Sequence, residues 1–364
     1  MIGDVSVTVS AHAGIHHHGK QRRILWICLP MVLFLVFALE LALGSVHIPL
    51  GDVVSILTGS VDVDASWRRI VLLYRLPRAL TAVLAGSALG MAGLKMQTLF
   101  RNPLADPYVL GISSGAHLGV AVVVLSAGGL GWTALAEKAG FLGNASMILA
   151  ATLGALGAMA VVLAVARRVE NSLTLLIIGI MIGYLSSAVV NILVQFALEH
   201  QLQAYVAWTF GSFGQVTWRQ LGVFAPAILC GLGLCAAMTK VLNAMLLGED
   251  YASSLGVDVR RARFLIIFGA SLLAGVVTAY CGPVSFLGIA VPHLGRMLLR
   301  TSDHRFLTPA VILIGAVLAL SADMLAQLPG AKSLLPLNSV TALIGAPVVV
   351  WVIMKRRQVM EAGV

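Results

Sequence analysis

The feature that most constrains this chain is a largely apolar run of about twenty residues, 79–99, between two polar motifs. The sequence RLPR precedes the run at 75–78, and FRNPLADP begins at its end, at 100–107. A helix of about 20 apolar residues crosses the ~30 Å hydrocarbon core of a bilayer. The run therefore predicts a membrane-spanning helix whose flanking motifs lie at opposite membrane faces.

Composition extends this prediction to the whole chain. Hydrophobic residues make up 59% of the 364 residues and charged residues 11%, and the mean hydropathy is +0.96, which leaves too little polar surface for a soluble monomer. The 37 glycines suit close helix–helix contact in a bilayer. We predict an all-α polytopic membrane protein of one domain with about ten transmembrane helices, at 24–45, 78–99, 108–128, 145–166, 172–198, 220–241, 264–281, 284–299, 307–328 and 339–354. The eighth is so short that it leaves open whether it crosses the whole bilayer.

The positive charges predict how these spans are oriented. Of the 24 Lys and Arg residues, 17 lie inside and 7 outside when the N-terminus is cytoplasmic, which is the usual positive-inside bias. Lys95 is counted inside because a long side chain near a helix end can extend to the interface. Both termini are then cytoplasmic, with a disordered tail at 1–23, the membrane domain at 24–357 and a short tail at 358–364. Topology accounts for most of the net charge of +9, so no nucleic-acid partner is needed.

One basic segment departs from this bias. Arginines at 68, 69, 75 and 78 are all assigned to the outer side, between Trp67 and the start of the second span. One interpretation is a loop that tolerates a few positive charges. The other is a docking surface for an acidic partner, because charged rims steer and orient encounters. The predicted docking residues are Arg68, Arg69, Arg75 and Arg78.

The longest polar stretch on the inner side is the segment 248–263. Its acidic start and the glycine at 256 predict a short helix, a turn and a basic approach to the next span. An ordinary connector would need only a few residues, and the segment exceeds that, so we interpret it as a coupling element that inserts into a cytoplasmic subunit. The predicted contact residues are Glu249, Asp250, Ala252, Ser253, Leu255, Gly256, Asp258 and Arg260.

Polar side chains recur along the fifth span at spacings of three and four, which places them on one helix face: Tyr184, Ser187, Asn191 and Gln195. Polar groups facing lipid are costly, so this face should line either a hydrogen-bonded helix seam or a water-filled pore. Two acidic residues, Glu40 and Asp323, lie near the outer ends of their spans and are interpreted as structural. His117 and His293 are interpreted in the same way.

Catalytic and metal-binding motifs are missing from the sequence. Residues 14–20 fit part of a phosphate-binding loop, but position 21 is Gln rather than Ser or Thr and no buried strand precedes it. The four cysteines lie in or beside apolar stretches and are interpreted as small hydrophobes. We predict that the chain is not an enzyme, binds no metal, and depends on a separate polypeptide for any ATP hydrolysis.

Nearly the whole chain resembles the permease subunits of bacterial ABC importers for iron–siderophore, haem and cobalamin complexes (the FecCD type, or type II importers). The motifs RLPR and FRNPLADP carry the resemblance, together with GISSG at 111–115, GPVSFLG at 282–288 and TALIGAP at 341–347. The resemblance implies a homodimer in the inner membrane with a path at its axis lined by the fifth helix. It also implies two cytoplasmic ATPase subunits that carry ATP and Mg²⁺, and a periplasmic binding protein that meets Arg75 and Arg78.

Gln327 departs from this pattern, because some members carry a docking arginine there, and this weakens a cobalamin assignment. Two other classes compete with the importer. A proton-coupled secondary transporter would need ionisable groups near the membrane midplane, and it would not need a long coupling loop. A metal-binding membrane enzyme would need clustered His and carboxylate ligands.

Overall fold

A computed structural model describes residues 4–44, 46–59, 63–125, 144–169, 172–327 and 335–361. These residues form helices and connecting turns: α1 Asp4–Ala42, α2 Leu50–Leu57, α3 Ala65–Arg69, α4 Leu76–Leu99, α5 Ile112–Leu125, α6 Asn144–Ala166, α7 Ser172–Gln195, α8 Glu199–Thr209, α9 Trp218–Ala237, α10 Thr239–Leu246, α11 Glu249–Ser254, α12 Val259–Cys281, α13 Leu287–Leu299, α14 His304–Gln327 and α15 Leu337–Glu361. A π-helical turn, Ile70–Arg75, joins α3 to α4, and 3₁₀ turns lie at Pro107–Leu110 and Phe213–Gln215.

The number of apolar helices confirms the prediction of about ten transmembrane segments. Within the described part of the chain, 7 helices are long and apolar enough to cross a membrane, and three shorter apolar helices, Ile112–Leu125, Leu287–Leu299 and Leu337–Trp351, bring the number to ten. The predicted eighth span corresponds to α13, which has 13 residues and a length of roughly 20 Å. It is therefore shorter than the hydrocarbon core.

Helix α4 lies at the centre of the bundle and packs against α9, α12, α13 and α14. Glycines make this packing possible: a Cβ atom at Gly86 would lie 2.1 Å from the carbonyl oxygen of Gly315, and one at Gly93 would lie 1.8 Å from that of Gly288. Backbone therefore meets backbone at both contacts. Association in a membrane depends on this close packing, because the lipid tails are as apolar as the side chains.

A second helix pair, α5 and α6, packs by the same means. A Cβ atom at Gly115 would lie 2.4 Å from the carbonyl oxygen of Gly154, and one at Gly119 would lie 2.1 Å from that of Ala150. Helix α7 packs on α5, but only 17% of its apolar window is buried within the chain. Most of α7 therefore faces outward from the protomer.

The structure corrects the predicted connections in three places. The segment 67–78, expected to be a loop, is helical, because α3, the π-helical turn and α4 form one continuous stretch from Ala65 to Leu99. Helix α8 was not predicted, since its mixed polar sequence shows no long apolar run. Helix α1 begins at Asp4, before the start of the predicted first span at Ile24.

Some predicted features lie outside the described residues. They include the chain ends at 1–3 and 362–364, the final residues of the predicted third and ninth spans, and two positive charges assigned to the outer side, Lys138 and Lys332. The division into tails and a membrane domain stays a prediction.

Candidate functional site

A cavity of about 740 Å³ opens on the side of the protomer formed by α5, α7 and α8. Of the 15 residues that line it, 11 are polar. The polar side chains that line it come from six segments of the chain: Tyr108, Ser113, Ser114, His117, Ser187, Asn191, Tyr205, Thr209, Ser285, Asn338 and Ser339. Hydroxyl, amide and imidazole groups predominate, so the cavity can accept a polar solute or water.

A break between α12 and α13 positions one wall of this cavity. The chain reverses at Gly282, where φ is +73°, and Phe286 adopts a left-handed conformation with φ of +68°. The freed backbone groups are satisfied locally: the N–H of Ser285 donates to Oδ1 of Asn338 at 3.1 Å, and the N–H of Asn338 donates to the carbonyl of Phe210 at 3.0 Å. Non-helical backbone at membrane depth is tolerated where it lines such a cavity.

The predicted polar stripe on α7 borders this cavity. Ser187 and Asn191 line its wall, and Tyr184 and Gln195 are exposed on the same helix face to either side. The four residues are therefore on one outward-facing surface. Their role as pore lining stays a prediction.

Sequence reasoning missed the opposite wall of the cavity. His117 was interpreted as structural, and its Nδ1 does lie 2.8 Å from the carbonyl of Ser113 while its ring packs edge-on against Trp208, but it also lines the cavity. Ser285 and Asn338 were not selected, because they are distant in sequence. The motifs GISSG at 111–115 and GPVSFLG at 282–288 are the sequence signals that fall on this wall.

Another cavity, of about 370 Å³, lies where the start of α4 meets the end of α14. Arg78 and Asp323 line it. These two side chains form a bidentate ion pair. Arg78 Nε donates to Asp323 Oδ2 at 2.6 Å, and Arg78 Nη2 donates to Asp323 Oδ1 at 2.8 Å. Asp323 also accepts from Nε2 of Gln327 at 3.3 Å, and Gln327 donates to the buried carboxylate of Glu40. Arg78 is thus paired within the chain.

Arg75 is also engaged inside the protein. It is 7% exposed, and its guanidinium donates to the backbone carbonyls of Leu41, at 2.7 Å, and of Val46. This fastens the end of α1 to the π-helical turn. Arg68 and Arg69 on α3 are exposed, so these two match the expected accessible surface, whereas Arg75 and Arg78 do not.

The predicted coupling segment forms a short helix and a tight turn. Helix α11 ends in a left-handed glycine, Gly256, with φ of +83°, and the N–H of Val257 returns to the carbonyl of Ala252 at 3.1 Å. Asp258 then caps α12 by accepting from the N–H of Arg261 at 3.0 Å. The predicted helix, turn and next span are all present.

This segment presents one exposed surface. Asp250, Ser253, Leu255, Gly256, Asp258 and Arg260 are exposed, with Leu255 60% and the neighbouring Tyr251 49% accessible. Ala252 is fully buried, so it cannot contact a partner, contrary to the sequence-based expectation. Its small side chain instead lets α11 pack on the bundle.

An ion pair holds the coupling segment to the membrane helices. Nη2 of Arg263 lies 2.8 Å from Oε2 of Glu249, and Nη1 of the same arginine donates to the carbonyl of Val169 at 3.0 Å. Glu249 is one-third exposed and Arg263 is nearly buried. Arg263 therefore links α11 and α12 to the segment that follows α6.

The turn between α4 and α5 carries a buried carboxylate, Asp106. It accepts a hydrogen bond from the backbone N–H of Tyr108 at 2.8 Å and so caps the 3₁₀ turn. Burial raises the pKa of Asp106 to about 6, and the Tyr108 hydrogen bond opposes part of this rise. The carboxylate therefore titrates close to physiological pH.

No group of three or more His, Cys, Asp or Glu side chains suited to a metal ion occurs among the residues that the structure describes. The four cysteines are unpaired; Cys28 and Cys230 are exposed and the other two are buried. The surfaces defined here are instead a polar cavity, an ion-pair cluster at the start of α4 and the predicted coupling segment. Together with the ten apolar helices, they define a multi-pass membrane permease.

The comparisons with known proteins identify the family. Residues 32–355 match the FecCD transport family, and the chain belongs to that family. It is 38% identical over 328 residues to the hemin transport system permease protein HmuU of Yersinia pestis, covering 89% of this chain and 95% of that protein. It is 35% identical over 342 residues to the vitamin B12 import system permease protein BtuC of Citrobacter koseri, covering 93% and 97%.

A solved structure extends the likeness to three dimensions. An inward-facing metal-chelate type ABC transporter matches with a TM-score of 0.78 and 28% identity, covering 92% of this chain and 99% of that chain. The fold is therefore that of a type II ABC importer permease. The chain is a transport subunit and not an enzyme.

Proposed function

We propose that this chain is the permease of an ATP-driven importer that moves a chelated-metal nutrient from a periplasmic binding protein to the cytoplasm. The observation that carries the proposal is the polar cavity beside the outward-facing polar surface of α7. An apolar membrane protein has no structural need for so many hydroxyl and amide groups at one open surface. A solute path accounts for them.

The exposure of α7 supports a homodimer as part of this proposal. Its surface carries Tyr184, 68% exposed, and Asn191, yet apolar side chains such as Ile192 beside them are also exposed. Facing lipid, the polar groups would be left unpaired at a cost of several kcal/mol. A second copy placed against α7 would enclose the polar surface as a water-filled path and bury the apolar one.

Energy would come from two cytoplasmic ATPase subunits, one on each α11 surface. The exposed Leu255 and Tyr251 supply an apolar centre, and Asp250, Asp258 and Arg260 a charged rim, which is the usual anatomy of a protein interface. ATP and Mg²⁺ would bind those subunits, so this chain needs no cofactor. Both termini lie on the same, cytoplasmic side of the bacterial inner membrane in this proposal.

The binding protein would dock at the opposite end of the bundle. Exposed Arg68 and Arg69 on α3 suit carboxylates on its surface. The relatives transport hemin and vitamin B12 according to their names, and the structural neighbour is a metal-chelate transporter. These likenesses favour a haem, cobalamin or iron–siderophore complex as the solute.

Reconstitution tests this proposal directly. The permease is placed in proteoliposomes with its ATPase, and uptake of haem, cobalamin and a ferric siderophore is measured with the binding protein present. ATP-dependent uptake of one of these complexes is expected, with none in the presence of ADP. Uptake that requires a proton gradient and no ATPase would instead establish a secondary transporter.

Thiol labelling tests the water-filled path separately. The exposed Cys28 and Cys230 are first replaced by Ser, and a membrane-impermeant thiol reagent is then applied to Asn191→Cys. Labelling is expected there, but not at Leu153→Cys, which is 68% exposed on the apolar surface of α6. Equal labelling at both positions, or at neither, would contradict a polar path along α7.

A further inference from the structure

A cavity of about 330 Å³ lies where the end of α6 meets the start of α12. Its volume falls within the range of small-molecule sites, about 300–1,000 Å³. The residues that line it are Ala166, Arg167, Asp258, Arg260, Arg261 and Phe264. Half of them are arginines, so this cavity differs in chemistry from the polar cavity beside α7.

The cavity lies at the level of a membrane surface. The two helices that form it are both long and apolar enough to cross a membrane, as the spans Ala145–Ala166 and Val259–Cys281. Nη1 of Arg263 donates to the carbonyl of Val169 at 3.0 Å, which places the end of α6 beside the start of α12. Because one span ends and the other begins here, the cavity lies where the hydrocarbon core gives way to the headgroup region.

The charge of the cavity is positive. The side chains of Arg167, Arg260 and Arg261 are exposed, and the one carboxylate among the lining residues is that of Asp258. This carboxylate caps α12, because it accepts from the backbone N–H of Arg261 at 3.0 Å. A guanidinium group binds a phosphate through two parallel N–H···O hydrogen bonds. Three arginines around one cavity therefore suit a phosphate group.

An aromatic surface continues from the arginines into the membrane. The guanidinium carbon of Arg167 lies 5.0 Å from the ring centroid of Phe264, which is a cation–π contact. One turn further into the span, the ring of Phe268 stacks on that of Phe264, with centroids 6.4 Å apart and planes 5° from parallel. Both rings are half-buried, so part of each faces outward from α12 at membrane depth.

The basic and aromatic surfaces together match a phospholipid. A soluble phosphate compound would use the arginines and leave the aromatic rings without a role, and so would a carboxylate on a partner protein. An anionic phospholipid uses both surfaces, because its phosphate lies at the membrane surface and its chains extend into the bilayer. Basic pockets between membrane helices are a recurring form of lipid headgroup site.

We propose that this cavity binds the headgroup of an anionic phospholipid. Arg167, Arg260 and Arg261 hold the phosphate, and the chains lie against Phe264 and Phe268. The lipid joins the end of α6 to the end of the coupling segment and so fixes the start of α12. This site requires only that the chain spans the membrane, so it does not depend on the proposed transport function.

Native mass spectrometry of the purified, delipidated protein tests the proposal. The full chain is titrated with dioleoyl-phosphatidylglycerol and, separately, with dioleoyl-phosphatidylcholine, which has no net charge. We expect one phosphatidylglycerol per chain to bind at least about tenfold more tightly than phosphatidylcholine. Arg167→Gln/Arg261→Gln should remove this preference, whereas Arg168→Gln, at an exposed neighbour that does not line the cavity, should keep it.

Two further measurements distinguish the lipid from other occupants. Glycerol 3-phosphate in large excess, which carries the phosphate without the chains, should not displace phosphatidylglycerol. If the double variant does not fold, Arg261→Gln alone should lower the preference about fivefold. Equal binding of the two lipids by the parent chain, or displacement by glycerol 3-phosphate, would overturn the proposal. A double variant that keeps the lipid preference and loses ATPase binding would also overturn it and assign the cavity to a protein interface.

Discussion

The ion pair between Arg78 and Asp323 offers the sharpest test of the structure. Two hydrogen bonds, of 2.6 and 2.8 Å, join side chains that are 16% and 1% exposed. The perturbation is Arg78→Gln, which removes the cation and leaves Asp323 in place. Asp323 would then keep the 3.3 Å contact with Gln327 Nε2 and lie beside the buried carboxylate of Glu40.

The magnitude follows from burial. Removing one partner of a buried ion pair costs about 3–5 kcal/mol, because the other charge is left uncompensated. We expect Arg78→Gln to fall in this range, since Asp323 is almost fully covered. The double variant Arg78→Gln/Asp323→Asn replaces the pair by neutral amides and should lose only about 1 kcal/mol. The coupling energy between the two positions should therefore exceed about 2 kcal/mol.

The assay is equilibrium unfolding of the purified protein in mixed micelles, with Arg78→Gln, Asp323→Asn and the double variant compared in a double-mutant cycle. Arg69→Gln is the matched control, because Arg69 is exposed on the adjacent helix α3 and should change stability by less than about 0.5 kcal/mol. A coupling energy below about 0.5 kcal/mol would refute the reasoning and return Arg78 to the surface available for docking.

Three other predictions follow from the same structure. Leu255→Glu places a charge at the 60% exposed centre of the coupling surface and should lower ATPase binding by at least tenfold without changing the melting temperature; unchanged binding would contradict the docking role. Burial raises the pKa of Asp106 to about 6, so the contribution of Asp106 to the free energy of unfolding is greatest below about pH 4 and is lost as pH rises through 6. Asp106→Asn should remove a pH-dependent change of about 3 kcal/mol in that free energy. An unaltered pH profile of stability in this variant would exclude a titrating Asp106. Gly93→Val would force a side chain into the Gly288 carbonyl, 1.8 Å from the new Cβ, and should abolish monodisperse protein in size-exclusion chromatography, while Gly157→Val, where no atom lies within 4 Å, should not.

The sequence alone determined the class of protein and the number and placement of its spans. Hydrophobicity over about 20 residues is a local property, and a segment with too few polar groups has no alternative to the bilayer. The coupling segment was also predictable, because an acidic helix start, a glycine turn and a capping Asp258 act within a few residues of each other. The polar stripe on α7 followed from helical spacing in the same way.

Only the tertiary structure decided which of the predicted residues are available to a partner. Arg78 is paired with a carboxylate 245 positions away, and Arg75 donates to carbonyls at the end of α1, so neither outcome is encoded in the neighbouring sequence. Ala252 and Lys95 were placed at accessible positions by local reasoning and are fully buried. Burial depends on which helices meet, and in this bundle glycines far apart along the chain determine those contacts through backbone packing.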